Sequence, residues 1–213
     1  MVNIFFLCCY NDQMSQTVRK KFHLCFPIIV LLILGSQVMA IEEPNFKIVI
    51  KDGDFEIRNY DEFLVAQTAV EGSFDSASRN GFRRVAGYIF GENRNASGES
   101  EKIQMTAPVT VKPDSEQWVL HFVMPDNYEF SQLPVPNNKN VILKKIEAHF
   151  AAVVVFSGFT TDKKIKNKTE SLRAWLESKS YNISGPQQIA RYNDPFTLPW
   201  LRRNEIIFKV TPY

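Results

Sequence analysis

The clearest alternation of apolar and polar side chains runs over residues 102–111. Every second position from Ile103 to Val111 is apolar, whereas the positions between them are polar or proline. Side chains on a strand alternate between its two faces, so the pattern predicts a half-buried β-strand with Met105 on its apolar face. Because proline has no N–H group for a sheet ladder, Pro108 predicts that this strand lies at a sheet edge or carries a bulge.

Shorter alternations precede this segment. Residues 46–50 and 55–58 alternate on either side of an Asp-Gly pair, which predicts a β-hairpin with a tight turn. Residues 63–70 predict the next strand.

A helix is then predicted from a cap at Ser73 to a stop at Gly91. Its polar face carries Arg83 and Arg84. The side chains predicted to turn inward are Phe74, Ala77, Phe82, Val85 and Ile89.

The second half of the chain repeats the order of the first. Residues 149–158 follow the pattern of 63–72 at an offset of 86 positions, and residues 205–210 follow that of 118–123 at an offset of 87. A second helix is predicted over 161–179, so each half contains a β-α-β-β unit. Two helices on a largely antiparallel sheet define an α+β fold.

Residues 1–40 differ from the rest of the chain. A basic cluster at 19–21 precedes an apolar run over 22–34, which has the length of a signal-peptide core rather than of a membrane-spanning helix. The pattern predicts a signal peptide cleaved after Ala40, or an N-terminal anchor if it is not cleaved, with either Met1 or Met14 as the start. The domain over 41–213 is therefore expected to be secreted or periplasmic, with membrane contact only through the leader.

Composition narrows the chemistry of residues 41–213. All three cysteines lie in the leader, so disulfides, thiolate nucleophiles and cysteine-based metal sites are excluded from this domain. Acidic and basic residues are equal in number there, which argues against nucleic-acid binding. Common hydrolase, nucleotide-binding and zinc motifs are absent from the sequence, so we expect no enzyme activity.

Three segments resemble the SOUL haem-binding protein family: residues 102–111, 202–210 and 55–60. The resemblance covers about residues 45 to 210. It implies a distorted antiparallel barrel or sheet flanked by two long helices, with internal pseudo-symmetry, which agrees with the predicted α+β fold of duplicated β-α-β-β units. It also implies non-covalent binding of haem or a related tetrapyrrole in an apolar groove.

The resemblance further suggests where haem would bind. In some family members a proposed axial histidine stands between the arginine and tyrosine of the motif that contains Asn59 here, so the tetrapyrrole is held by apolar contact or by another ligand. The ligand we select is His149, with His121 as a further histidine and Met105 as a thioether candidate. The remaining candidates, expected to pair with propionates, are Arg83 and Arg84.

The resulting functional hypothesis is haem capture, buffering or delivery outside the cytoplasm without catalysis. An alternative is a general module that binds small hydrophobic ligands and does not use haem. A third hypothesis is an enzyme acting on tetrapyrroles or lipophilic substrates. The sequence leaves the oligomeric state open.

Overall fold

A computed structural model describes residues 41–213, so the predicted signal peptide lies outside the described residues. Neither helix in the described range is long and apolar enough to cross a membrane. The strands and helices, in chain order, are β1 Phe46–Asp52, β2 Phe55–Tyr60, β3 Phe63–Val70, α1 Phe74–Ile89, β4 Asn93–Arg94, β5 Val109–Asp114, β6 Gln117–Val123, β7 Val135–Pro136, β8 Ile142–Ile146, β9 His149–Phe156, α2 Asp162–Glu177, β10 Tyr181–Ile183, β11 Gln188–Arg191 and β12 Asn204–Pro212.

One antiparallel sheet contains ten of these strands, in the order β1-β2-β9-β12-β11-β5-β6-β3-β8, with β10 also paired to β12. β4 and β7 pair separately. The end strands β1 and β8 do not pair with each other, so the sheet is open. Phe46 of β1 and Ile146 of β8 nevertheless line one cavity, which means that the sheet curls until its ends approach. The predicted α+β class is confirmed.

The predicted duplication is also confirmed by the pairing of the strands. β3 pairs with β6 and β6 with β5, just as β9 pairs with β12 and β12 with β11. The two repeats meet where β11 pairs with β5. Each helix follows a hydroxyl cap, because Ser73 accepts the N–H of Ser76 and Thr161 accepts that of Lys164.

Both helices cover the same face of the sheet, which we call the helix face. Leu120 of β6 packs with α1, and Phe208 of β12 packs with α2. The opposite face, which carries His121 and Ile207, is called the interior face because the sheet curls around it.

The strand predicted over 102–111 is only partly correct, because regular pairing begins at Val109. The N–H of Ile103 donates to the carbonyl of Ile89 at the end of α1, at 2.9 Å, instead of to a neighbouring strand. The segment 102–108 is therefore a connection, which is held to the end of α1 at Ile103 and to the carbonyl of Glu42 at Ala107.

Two further predictions about this segment are wrong. Met105 is 42% exposed, because the connection does not keep the alternation of a strand. Pro108 marks no sheet edge, since β5 lies inside the sheet between β11 and β6 and Pro108 precedes its first paired residue.

Candidate functional site

Each face of the sheet carries a cavity that draws residues from both repeats. The cavity on the helix face, here called the groove, has a volume of about 410 Å³. Its walls come from α1, β5 and β6 on one side and from the segments 158–160 and 191–204 on the other. A volume of roughly 300–1,000 Å³ is usual for small-molecule sites.

Each wall of the groove carries a solvent-exposed aromatic side chain. Phe82 of α1 is 44% exposed and Phe159 is 57% exposed. Phe82 was predicted to pack in the core, but it faces the groove because the opposite wall does not close over it. Val111 and Leu120 form an apolar floor.

Three arginines line the groove. Arg202 lies over the ring of Phe159, 5.0 Å from its centre, and Arg191 donates to the hydroxyl of Thr160 at 3.1 Å. Burial lowers the pKa of Arg191, while Asp75 opposes this effect. Arg79 forms neither a hydrogen bond nor an ion pair with any residue in the described range.

The cavity on the interior face, here called the interior cavity, has a volume of about 310 Å³. Tyr60 of β2 and Phe63 of β3 stand beside each other in its wall, with ring centres 6.2 Å apart. The polar side chains of this wall include His121, His149, Lys112, Lys144 and Lys209.

His149 is held in a fixed orientation in the interior cavity. Its Nδ1 lies 2.8 Å from the carbonyl oxygen of Glu147, and its ring stacks on Tyr60 with ring centres 5.6 Å apart. Such a backbone contact at Nδ1 leaves Nε2 available as a ligand atom. Burial lowers the pKa of His149, and Lys209 adds to this effect, while the Glu147 carbonyl opposes it.

An ion network lies buried beside the interior cavity. Arg58 donates two hydrogen bonds of 3.0 Å to Glu205, one of 2.7 Å to Glu56 and one of 2.9 Å to Tyr60. Tyr192 also donates to Glu205, at 2.7 Å. Burial would raise the pKa of Glu56, but hydrogen bonds from Lys51 and Arg58 lower it overall.

The structure separates the predicted site residues. His149 lies in the interior cavity. Asn59 shares the helix face with Ile57, opposite to Tyr60, and lines neither cavity. Met105 is exposed in the connection before β5.

The two predicted arginines of α1 also differ. Arg83 is exposed one helical turn from Arg79, on the side of α1 that borders the groove. Arg84 turns away, because it donates to the hydroxyl of Thr68 at 3.1 Å and to the carbonyl of Ala69 at 2.9 Å.

Sequence reasoning missed most of the groove. Phe159 and Arg202 lie outside the regular strands and helices, and Arg191 is the last residue of the short strand β11, so no pattern along the chain draws attention to them. Arg79 lies four positions before the predicted Arg83, and this spacing, which places two side chains on one side of a helix, could have identified it. No three His, Cys, Asp or Glu side chains within residues 41–213 are arranged to hold a metal ion.

These features define a class of protein: an α+β binding domain made of two β-α-β-β repeats, with one ligand-sized cavity on each face of its sheet. The C-terminal domain of EcmrR has a similar fold, with a TM-score of 0.58 over 75% of this chain and 98% of that domain. Sequence identity to it is 15%, so this likeness concerns the fold alone.

The chain belongs to the SOUL heme-binding protein family, whose model matches residues 41–209. Heme-binding protein 2 of Mus musculus is 31% identical over 189 residues, which cover 83% of this chain and 89% of that protein. Heme-binding protein 1 of Xenopus laevis is 28% identical over 189 residues, with coverages of 83% and 96%. The family suggested by the three sequence segments is confirmed.

Proposed function

We propose that the protein binds haem or a related tetrapyrrole in the groove, non-covalently and without catalysis, and that it captures, buffers or delivers this ligand outside the cytoplasm. The observation that carries the proposal is an open apolar groove bordered by arginines in a member of a haem-binding family. Residues 41–213 contain no cysteine that could attach a haem covalently.

The groove suits a flat apolar ring better than the interior cavity does. It is the larger of the two cavities, and Phe82 and Phe159 offer open aromatic surface on its two walls. Burial of that aromatic surface against a macrocycle would stabilise the complex by roughly 25 cal/mol for each Å² removed from water.

Arginines at the groove match the two propionates of haem. Arg79 has no partner within the described part of the chain, and Arg83 follows it by one turn of α1. Arg202 already donates to the carbonyls of Thr197 and Pro195, which fixes its guanidinium beside Phe159. Planar guanidinium groups suit bidentate contact with carboxylates.

The groove does not contain the predicted iron ligands His149 and Met105. The residues that line the groove include no His, Met, Cys or Tyr among those described. Binding in the groove would therefore depend on apolar contact and charge, which is the alternative that Asn59 left open. His149 remains a candidate ligand only if haem enters the interior cavity.

Hemin titration followed by the Soret band tests the proposal. We expect one equivalent to bind the full chain saturably, and Phe82→Glu combined with Phe159→Glu to weaken hemin affinity at least tenfold. Phe130→Glu is a matched control, because Phe130 is 52% exposed and lines neither cavity. Absence of saturable hemin binding would contradict the proposed function.

A further variant, His149→Ala, separates the two cavities. If hemin binding survives both groove substitutions but is lost in His149→Ala, the tetrapyrrole occupies the interior cavity and the groove assignment is wrong. If His149→Ala binds hemin as the parent protein does, His149 is not the iron ligand.

A second candidate function is binding of small hydrophobic ligands other than haem. The observation that favours it is the set of groove-lining side chains, which supplies apolar surface but none of the usual iron ligands. Competition distinguishes the two, because hemin should displace the dye ANS from the groove if haem is the ligand. Retention of ANS in the presence of excess hemin would favour the second candidate.

A further inference from the structure

We propose that the interior cavity is a second binding site, for a small organic carboxylate whose apolar body lies among aromatic residues and whose charge meets a lysine cluster. The cluster consists of Lys112, Lys144 and Lys209. The site lies on the face of the sheet opposite to the groove, so it does not rest on the proposed function.

The three lysines reach the cavity from three different strands, β5, β8 and β12. None of them forms an ion pair within 4.0 Å among the described residues, whereas the neighbouring Lys145 pairs with Glu62 at 2.7 Å. Burial lowers the pKa of Lys112, repulsion from Lys144 and Lys209 adds to this, and Asp114 opposes it. A bound anion would relieve this repulsion.

His121 adds an unused polar group to the same wall. Its side chain is buried, and its Nε2 has no hydrogen-bond partner in the described part of the chain. Burial lowers the pKa of His121 to about 3, with Lys112 and Lys144 contributing, so the ring is neutral at neutral pH. Buried polar atoms normally have partners, and a polar ligand atom in the cavity would supply one.

Acidic residues in the wall do not neutralise the cluster. Glu43 is bound by Arg203, at 2.9 and 3.0 Å from its two oxygens. The pKa of Lys145 is raised mainly by its hydrogen bond to Glu62, and the charge of Glu147 adds to this effect. Within residues 41–213 neither carboxylate forms an ion pair with the lysine cluster.

Apolar surface lies directly beside these charges. Phe63 is paired with Ile146 across β3 and β8, and two positions farther along Val65 is paired with Lys144. All four side chains line the cavity. A ligand with a carboxylate at one end and a short apolar body at the other matches this order.

Calorimetric titration with octanoate, and with 1-octanol as its neutral counterpart, tests the charge requirement. We expect one equivalent of octanoate to bind the full chain saturably, at least tenfold more tightly than 1-octanol. Equal affinity for the two compounds, or no octanoate binding up to millimolar concentration, would overturn the proposal.

Variants locate the binding. Lys112→Met with Lys144→Met should weaken octanoate binding at least tenfold, while Lys163→Met, an exposed lysine on α2, should leave it unchanged. Phe82→Glu with Phe159→Glu should also leave it unchanged, because those residues line the groove. Octanoate affinity that follows the groove substitutions instead would refute the interior site.

A measurement on the parent protein guards against variants that fail to fold. Octanoate labelled with ¹³C should show nuclear Overhauser contacts to Phe63 and Val65. Contacts confined to other parts of the protein would count against the site whatever the variants do.

Discussion

Arg58 and Glu205 join β2 and β12 across their shared neighbour β9. Arg58 is 2% exposed and Glu205 is fully buried, so both charges have lost most contact with water. The desolvation cost is offset by further hydrogen bonds, from Arg58 to Glu56 and Tyr60 and from Tyr192 and Arg203 to Glu205. Loss of the Glu205 charge would leave Arg58 with Glu56 as its remaining acidic partner in the described range, and would remove a partner of Arg203 as well.

Glu205→Gln is therefore expected to lower the free energy of unfolding by about 3–5 kcal/mol. The control is Glu62→Gln, since Glu62 forms an exposed, solvent-screened pair with Lys145 whose loss should leave the free energy of unfolding nearly unchanged. Urea unfolding at pH 7 measures both. Similar small losses in the two variants would show that the buried network contributes little.

Part of this arrangement could be predicted from the sequence. Two of the segments that carry the family resemblance contain Arg58 and Glu205, and alternation along β2 is enough to separate Asn59 from Tyr60. The ion pair itself could not be predicted, because its members are 147 positions apart and meet only because β9 lies between their strands.

Helix α1 approaches the sheet closely at Gly81. A Cβ atom at this position would lie 3.1 Å from Cδ1 and 3.2 Å from Cβ of Leu120. The helix carries Arg79 and Phe82 on neighbouring positions, so its distance from β6 sets the depth of the groove.

Gly81→Val is expected to destabilise the protein by about 1–3 kcal/mol, because the larger side chain forces α1 away from Leu120. Asn80→Val, at the adjacent exposed position, should change stability by less than about 0.5 kcal/mol, because valine and asparagine have similar helix propensities. Thermal unfolding of the two variants makes the comparison. Equal losses of stability would indicate that the close approach of Gly81 to Leu120 does not restrict the size of the side chain at this position.

Elements with strong local patterns could be predicted, and those defined by distant partners could not. β3 and β6 follow their alternation, and both helices begin at their hydroxyl caps. The segment 102–108 alternates equally well, yet its backbone bonds to the end of α1. The repeated sequence pattern also does not indicate that the β1–β2 hairpin joins the second repeat, where β2 pairs with β9.

The curled sheet surrounds a wall of positive charge on its interior face. His121 lies in that wall with Lys112 and Lys144, and its pKa of about 3 is far below the ordinary value of 6.5, which an unfolded chain would show. Between these two values the unfolded chain binds a proton at His121 that the folded protein does not. Stability is therefore lost as pH falls below about 6.5.

His121 should contribute about 1.4 kcal/mol of destabilisation per pH unit below pH 6. Urea unfolding at pH 7, 6 and 5 should accordingly show a shallower pH dependence of stability for His121→Gln than for the parent protein. The reason is that the variant takes up about one proton fewer on unfolding. His149→Gln is the comparison, since burial also lowers the pKa of His149 but that ring is less enclosed. Identical pH profiles for His121→Gln and the parent protein would contradict this expectation.

The position of β12 in the sheet has a consequence for synthesis on the ribosome. This strand pairs with β9, β10 and β11, all of which precede it in the chain. Until residues 204–212 are translated, the edge of β9 that β12 will cover remains open to other strands, as does that of β11. The nascent protein thus depends on protection from aggregation up to the stage at which β12 emerges.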